Sequence, residues 1–315
     1  MFEKIIKRVE NAEKIGIFSH INPDGDAMGS SYSLKLALEK MGKKAEVFLL
    51  PNPDRGAEEI ILGKESVNIK LEDCDLLISV DCADIKRLGE FEGYFKNHNN
   101  TIAIDHHITH HEFADETVVR DLSSCCELMM DLYAQMNVRL TKEIAHNLYI
   151  GIVSDTGNFK YSCATADTMR AAAVLKETGI DGAAISKRMF DTKSLEYYKL
   201  MRTALDNIKT YEDGKIAVLY LSEEDFNNAN IDEGGAVGIV ALPTSIEGVQ
   251  AGVYIRERNK GEFKISLRSV DLIDVALIAE HLGGGGHIRA SGYSVTGKSV
   301  EEIVQEVLAE IKKQL

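Results

Sequence analysis

Three short apolar runs, each ending on an acid or an imidazole, constrain this chain more than any other feature. Ile15-Gly16-Ile17-Phe18-Ser19 runs into His20, Leu76-Leu77-Ile78-Ser79-Val80 into Asp81, and Ile102-Ala103-Ile104 into Asp105, His106 and His107. Runs this short and this apolar read as buried strands. Between them lie segments of helical spacing: residues 2–14, with Phe2, Ile5, Ile6 and Val9 on one face, then 27–41 and 85–97. Another strand pattern covers residues 45–50. Strands separated by helical crossovers imply a largely parallel, doubly wound α/β sheet. In such sheets ligands collect beyond the carboxyl ends of the strands, which is where these acids and imidazoles fall.

Further along, Asp121-Leu122-Ser123-Ser124 reads as a helix cap before helical stretches at 128–136 and 144–154, interrupted at Asp155-Thr156-Gly157-Asn158. Residues 165–189 are Ala-rich and helical, and 195–211 reads as one helix bridging to a second domain. From Lys215 the pattern turns to β, with a strand at 216–221 and a hairpin pairing 249–257 with 262–269 around Asn259-Lys260-Gly261. A helix over 272–282 breaks at a run of four glycines, 283–286, and an amphipathic helix closes the chain at 299–313. The expected organisation is a parallel doubly wound domain over residues 1–190, a helical linker over 191–211, and a smaller α/β domain with a mixed sheet over 212–315.

A chain of 315 residues has room for two such cores. Its net charge of -14 excludes a general nucleic-acid coat or a binder of anionic membranes, since long-range fields repel both, so any nucleotide ligand must be held locally. The five cysteines, Cys74, Cys82, Cys125, Cys126 and Cys163, are odd in number and form no C-x-x-C pair, which signals neither a disulfide framework nor a zinc knuckle. A mixed-charge amphipathic start and the lack of a membrane-length apolar run point to a cytoplasmic protein.

Gathering the strand-end residues gives His20, Asp24, Asp26, Asp81, Asp105, His106, His107 and, after a helix, Asp155. Carboxylates with one or two imidazoles suit manganese or magnesium better than thiolate-loving zinc, and a shared carboxylate can hold two such ions roughly 3.5–4 Å apart. A hydroxide between the ions is the expected nucleophile. A lone strand-end His or Asp is usually a cap, but no folding requirement produces the whole set.

His20-x-x-x-Asp24-x-Asp26, Asp81, Asp105-His106-His107 and Gly151-x-x-x-Asp155-Thr156-Gly157 resemble, in order and spacing, the four motifs of the DHH phosphoesterase superfamily. The glycine run with His287 and Ala290-Ser291-Gly292 is similar to the DHH-associated substrate domain, so the resemblance spans nearly the whole chain. Within the superfamily the chain looks most like short RecJ-like members that act as oligoribonucleases (nanoRNases) and phosphatases of 3′-phosphoadenosine 5′-phosphate (pAp). The resemblance implies that His20 and Asp24 hold one ion, that Asp26, His106 and Asp155 hold the other, and that Asp81 bridges. Two Mn²⁺ are implied, with Mg²⁺ as the alternative. It further implies that Asp105 orients an imidazole from behind, the full set suggesting that of His106, and that His107 faces the substrate as a hydrogen-bond donor or general acid.

The implied substrates are short RNA oligomers and pAp, with no stable long nucleic-acid partner and no membrane; a homodimer is compatible with the sequence. The rivals are a linear or cyclic dinucleotide phosphodiesterase (pApA or c-di-AMP type), a manganese-dependent inorganic pyrophosphatase and a non-catalytic nucleotide sensor. Substrate capture falls to the second domain. There Arg256, Arg258, Lys260, Lys264 and Arg268 concentrate charge on the hairpin, and the resemblance puts Arg268 on a substrate phosphate, which a guanidinium grips bidentately. Gly284, Gly285 and Gly286 would let the backbone approach a phosphate or base, with His287 beside it. His110 and His111 read as solvated loop residues, Cys82, Cys125 and Cys126 as packing, and Phe159 and Tyr161 as candidate lid or base contacts.

Overall fold

The structure, a computed structural model, describes residues 2–315 and divides into two compact units, 1–192 and 193–315. In the first, α1 (Glu3–Asn11) precedes β1 (Lys14–Phe18), α2 (Gly25–Lys40), β2 (Lys44–Phe48), α3 (Arg55–Ile60), β3 (Leu76–Val80), α4 (Glu92–Asn97), β4 (Thr101–Asp105) and β5 (Glu116–Val119). The unit continues with α5 (Cys125–Gln135), α6 (Lys142–Asp155), α7 (Ala166–Glu177) and α8 (Gly182–Ser186). The five strands pair in parallel in the order β2-β1-β3-β4-β5. Successive side chains leave opposite faces of a strand, so β3 buries Ile78 and Val80 on one side and Leu77 on the other. The first side joins a core of Ile15, Ile17, Ile102, Leu128 and Tyr133; the second joins Phe18, Leu88 and Phe95. Both faces are therefore covered, as a parallel sheet requires.

The strand order reverses between β1 and β3, the switch point where such sheets open a crevice. His20 follows β1, Asp81 follows β3 and Asp105 ends β4, so all three reach that crevice. Helix α2 is among the most buried elements and lies against α6. Their closeness depends on Gly151: a Cβ there would come within 2.2 Å of the Cys126 sulfur and 2.5 Å of Asp26 Oδ1.

The second unit contains α9 (Leu195–Asn207), β6 (Lys209–Tyr211), β7 (Ile216–Leu221), α10 (Glu223–Ala229), β8 (Ala251–Asn259), β9 (Glu262–Ser269), α11 (Val275–His281), β10 (Gly285–His287), β11 (Ala290–Thr296) and α12 (Val300–Lys312). Its mixed sheet runs β10-β11-β9-β8-β7-β6, with β7 and β8 parallel and the other pairs antiparallel. The 195–211 segment is not one helix: α9 stops at Asn207, and residues 209–211 form an edge strand against β7. Tyr197, Leu200 and Ala204 of α9 are buried against Leu219 and Phe226 within this unit, which ends the helix where its own apolar face runs out.

Sequence patterning did not anticipate β5, β10 or β11. The glycine run is no hinge after α11. Gly283 turns the chain at φ +85°, and Gly285 to His287 then pair with β11. A Cβ at Gly284 would meet the Gly292 carbonyl at 2.2 Å, and one at Gly286 would meet Ser291 Cα at 2.6 Å, so these two glycines are required by the backbone packing of the sheet edge.

Candidate metal centre

His20, Asp24, Asp26 and His106 are each aimed by a backbone contact. His20 donates its Nδ1–H to the Ile21 carbonyl at 2.8 Å, and His106 donates Nδ1–H to the Leu122 carbonyl at 3.1 Å, so both turn Nε2 to the crevice. Asp24 caps α2, its Oδ1 accepting from the backbone N–H of Asp26 and Ala27, which leaves Oδ2 outward. Asp26 is fully buried and accepts from the backbone N–H of Cys125 and Cys126 at 2.6 and 2.9 Å, the positive end of α5. The cysteines first taken as packing thus also hold a candidate ligand through their amides. Asp155 is the last residue of α6. Asp81 sits in left-handed backbone at φ +52°, a strained conformation for a non-glycine residue and one that clusters at functional sites.

These groups converge on Asp81. On one side its Oδ2 lies 3.5 Å from His20 Nε2, which lies 3.7 Å from Asp24 Oδ2. On the other, its Oδ1 lies 3.4 Å from His106 Nε2, which is 3.2 Å from Asp155 Oδ2 and 3.8 Å from Asp26 Oδ2. Neighbouring ligands of an octahedral ion with bonds of ~2.1 Å stand roughly 3 Å apart, close to these separations. Three overlapping groups can therefore hold a metal: His20, Asp24 and Asp81; Asp26, His106 and Asp155; and Asp81, His106 and His107.

The electrostatics call for a cation. Asp81 Oδ1 and His106 Nε2 are buried with no hydrogen-bond partner, which interiors rarely tolerate. Burial and the facing carboxylates of Asp155 and Asp81 push Asp26 well above the ordinary carboxylate range, and burial brings Asp155 up to about 6. Burial also opposes the charged form of His106, yet Asp155 and Asp81 hold that imidazole up to about 12. Carboxylates driven to keep protons beside an imidazole driven to keep its own describe a cluster short of positive charge, and hard oxygen and imidazole donors suit a divalent ion.

Residues 14–152 match the DHH family, N-terminal domain, and residues 213–313 match the DHHA1 domain. A Thermus thermophilus protein named bifunctional oligoribonuclease and PAP phosphatase NrnA is 31% identical over 317 residues, spanning 99% of this chain and 93% of that one. The chain belongs to the DHH phosphoesterase family. Its fold is also that of a solved exopolyphosphatase-related protein from Bacteroides fragilis, with a TM-score of 0.86 and 29% identity over 99% of this chain and 95% of the other. A structure of RecJ in complex with Mn²⁺ from Thermus thermophilus shares the fold at a TM-score of 0.56 and 17% identity, covering 98% of this chain and 54% of that one.

Within the DHH signature the labour is divided differently from the expectation that Asp105 backs His106. Asp105 accepts instead from His107 Nδ1 at 2.7 Å and from His110 Nδ1 at 2.7 Å, while the Leu122 carbonyl orients His106. With its Nδ1–H committed to Asp105, His107 has no lone pair on that atom to offer a metal, although Asp81 Oδ1 lies 3.7 Å from it. His110, expected in solvent, has a side chain only 3% exposed. Two polar residues on, Phe113 supplies the ring that covers it, and an apolar residue at that spacing was the missed signal. His111 is exposed, as expected. Phe159 packs against Tyr149 in the core, whereas Tyr161 is exposed over Gly157.

In the DHHA1 unit, Arg268, Lys264 and Ser266 line an open basin of about 410 Å³ together with Gly285 and Gly286, a volume suited to one small ligand. Gly284 and His287 do not line it; His287 is exposed at the end of β10. Arg256, Arg258 and Lys264 all ion-pair with Glu233, so most of the hairpin's positive charge is answered internally. Arg268 donates to the Leu267 carbonyl at 2.9 Å and has no carboxylate partner among the described residues. Among those residues no helix is long and apolar enough to cross a membrane.

Proposed function

We propose that this chain is a manganese-dependent phosphoesterase that cleaves RNA oligomers of a few nucleotides to nucleoside monophosphates and pAp to AMP and phosphate. The observation that carries this reading is Asp81, whose Oδ2 lies toward His20 and whose Oδ1 lies toward His106, with that Oδ1 and His106 Nε2 both buried and without a hydrogen-bond partner among the described residues. The near full-length likeness to a relative named for both activities supports the substrate pair. His20 and Asp24 would hold one ion, Asp26, His106 and Asp155 the other, and Asp81 both. Divalent ions held by these residues would supply Lewis acidity toward the phosphoryl oxygens and a water acidic enough to act as nucleophile at neutral pH.

The protein's own side chains do the rest. Asp105 accepts from His107 Nδ1–H, so Nε2 is the atom left to face the leaving oxygen. In the doubly protonated ring, whose charge the Asp105 carboxylate balances, Nε2–H passes its proton to that oxygen and leaves the neutral Nδ1–H tautomer. Arg268 takes a substrate phosphate, because its guanidinium is the one on that hairpin face without a carboxylate in attendance. Gly285 and Gly286 leave backbone room beside it, and His287 contributes from the end of β10. Five free cysteines agree with a cytoplasmic enzyme.

With Mn²⁺ supplied, mass spectrometry of products from a 5′-labelled trinucleotide, run beside pAp, pApA and pyrophosphate, tests the reading. Mononucleotides from the RNA and AMP from pAp are expected. Turnover of pyrophosphate alone, or of pApA without the trinucleotide or pAp, would overturn it.

A further inference from the structure

The carboxylate of Asp105 is completely buried and gripped from two sides. Oδ1 accepts from His107 Nδ1 at 2.7 Å and from the His106 backbone N–H at 2.8 Å, and Oδ2 accepts from His110 Nδ1 at 2.7 Å. An ionised carboxylate only accepts, so both imidazoles carry their proton on Nδ1. His110 is itself enclosed: its ring stacks on Phe113 at 5.3 Å, Phe113 packs edge-on to Phe95, and its backbone N–H closes a turn onto the His107 carbonyl. Its Nε2 is buried with no hydrogen-bond partner.

We propose that His110 is a positioning residue, which locks Asp105 and thereby holds the His107 ring at its working angle during phosphoester hydrolysis; this rests on the reading of His107 given above. A carboxylate held at one oxygen keeps its terminal torsion, which is broad and soft. A donor on the far oxygen removes that freedom, and among the described residues His107 has no other side-chain partner at hydrogen-bond distance. An apolar side chain could fill the space against Phe113 without stranding a ring nitrogen in the interior, a destabilising arrangement. What the imidazole adds at this place is one N–H donor. The amide nitrogen of asparagine stands at the same number of bonds from the backbone as histidine Nδ1, so asparagine can supply that donor without the partnerless Nε2.

The test compares the full-length protein with His110→Ala and His110→Asn. In His110→Ala, kcat on a dinucleotide RNA is expected to fall about 10- to 100-fold, the scale of losing an orienting partner, with KM and calorimetric ion affinity within about twofold. His110→Asn should recover to within about threefold of the parent on the same scale. A second readout needs no turnover: in the magnesium-loaded protein, imidazole ¹H–¹⁵N spectra should show His107 as a single Nδ1–H tautomer in the parent and His110→Asn, and tautomer averaging in His110→Ala. An unchanged His107 spectrum and kcat in His110→Ala would overturn the proposal. So would a loss of rate that asparagine fails to restore. A parent protein inactive on RNA would instead sink the substrate reading, with the spectra still deciding the role of His110.

Discussion

The candidate metal-binding edge of the first sheet and the glycine edge of the second are built on opposite plans. At the first, side chains from four separate segments meet, and several are aimed by a backbone contact: Leu122 O behind His106, Ile21 O behind His20, the amides of α5 on Asp26. At the second, backbone lines the basin, β10 is exposed throughout, and one partly buried arginine supplies the free charge. Chemistry on phosphorus needs ligands held within fractions of an ångström, which interiors provide. Recognition of a phosphate or base needs open space and a donor, which a sheet edge provides. Changes at the first edge should therefore abolish function, and changes at the second should grade it.

The largest effect is expected from Asp81→Asn. Losing the charge common to both clusters should cut turnover about a thousandfold or more and remove calorimetric ion binding with it. Near-normal turnover would break the contrast at its strongest point. Next, His106→Ala should weaken ion affinity on the order of 10- to 100-fold, whereas His107→Ala should lower turnover with the ions retained. Equal loss of metal in both variants would show that His107 is a ligand.

On the recognition edge, Arg268→Ala should raise KM for pAp about tenfold, the worth of one charge-assisted hydrogen bond, with kcat within a few-fold; a collapse of kcat with KM unchanged would move Arg268 to the reacting centre. Smaller still, Gly151→Ala should cost about 1–3 kcal/mol in denaturant unfolding, because the added methyl collides with Cys126 and Asp26, and added magnesium should restore less stability than in the parent. Gly285→Ala, whose Cβ meets nothing within 4 Å, should change stability by less than about 0.5 kcal/mol, and a larger loss would mean that the edge is more tightly packed than it looks.

Much of the first unit was legible from residues alone. The β3 and β4 patterns fall where strands form, and the acids and imidazoles at the strand ends come together, because short apolar runs bounded by turn residues read as buried strands and a parallel sheet opens at its carboxyl edge. The second unit was less legible. Edge strands β6 and β10, and β11 next to the latter, carry glycine, polar and exposed residues, and the periodic signal is correspondingly faint.

By itself, then, the sequence determined which residues could carry the chemistry: hard donors, at strand ends, in an order that a parallel sheet would gather. Only the tertiary structure decided how they divide the work. Asp105 and His106 are adjacent in the chain, yet Asp105 serves His107 and His110 while a carbonyl sixteen residues away serves His106. The reason is geometric. Successive side chains leave a strand in opposite directions, so neighbours in sequence meet different surroundings, and a hydrogen-bond partner is selected by direction and distance, not by chain order.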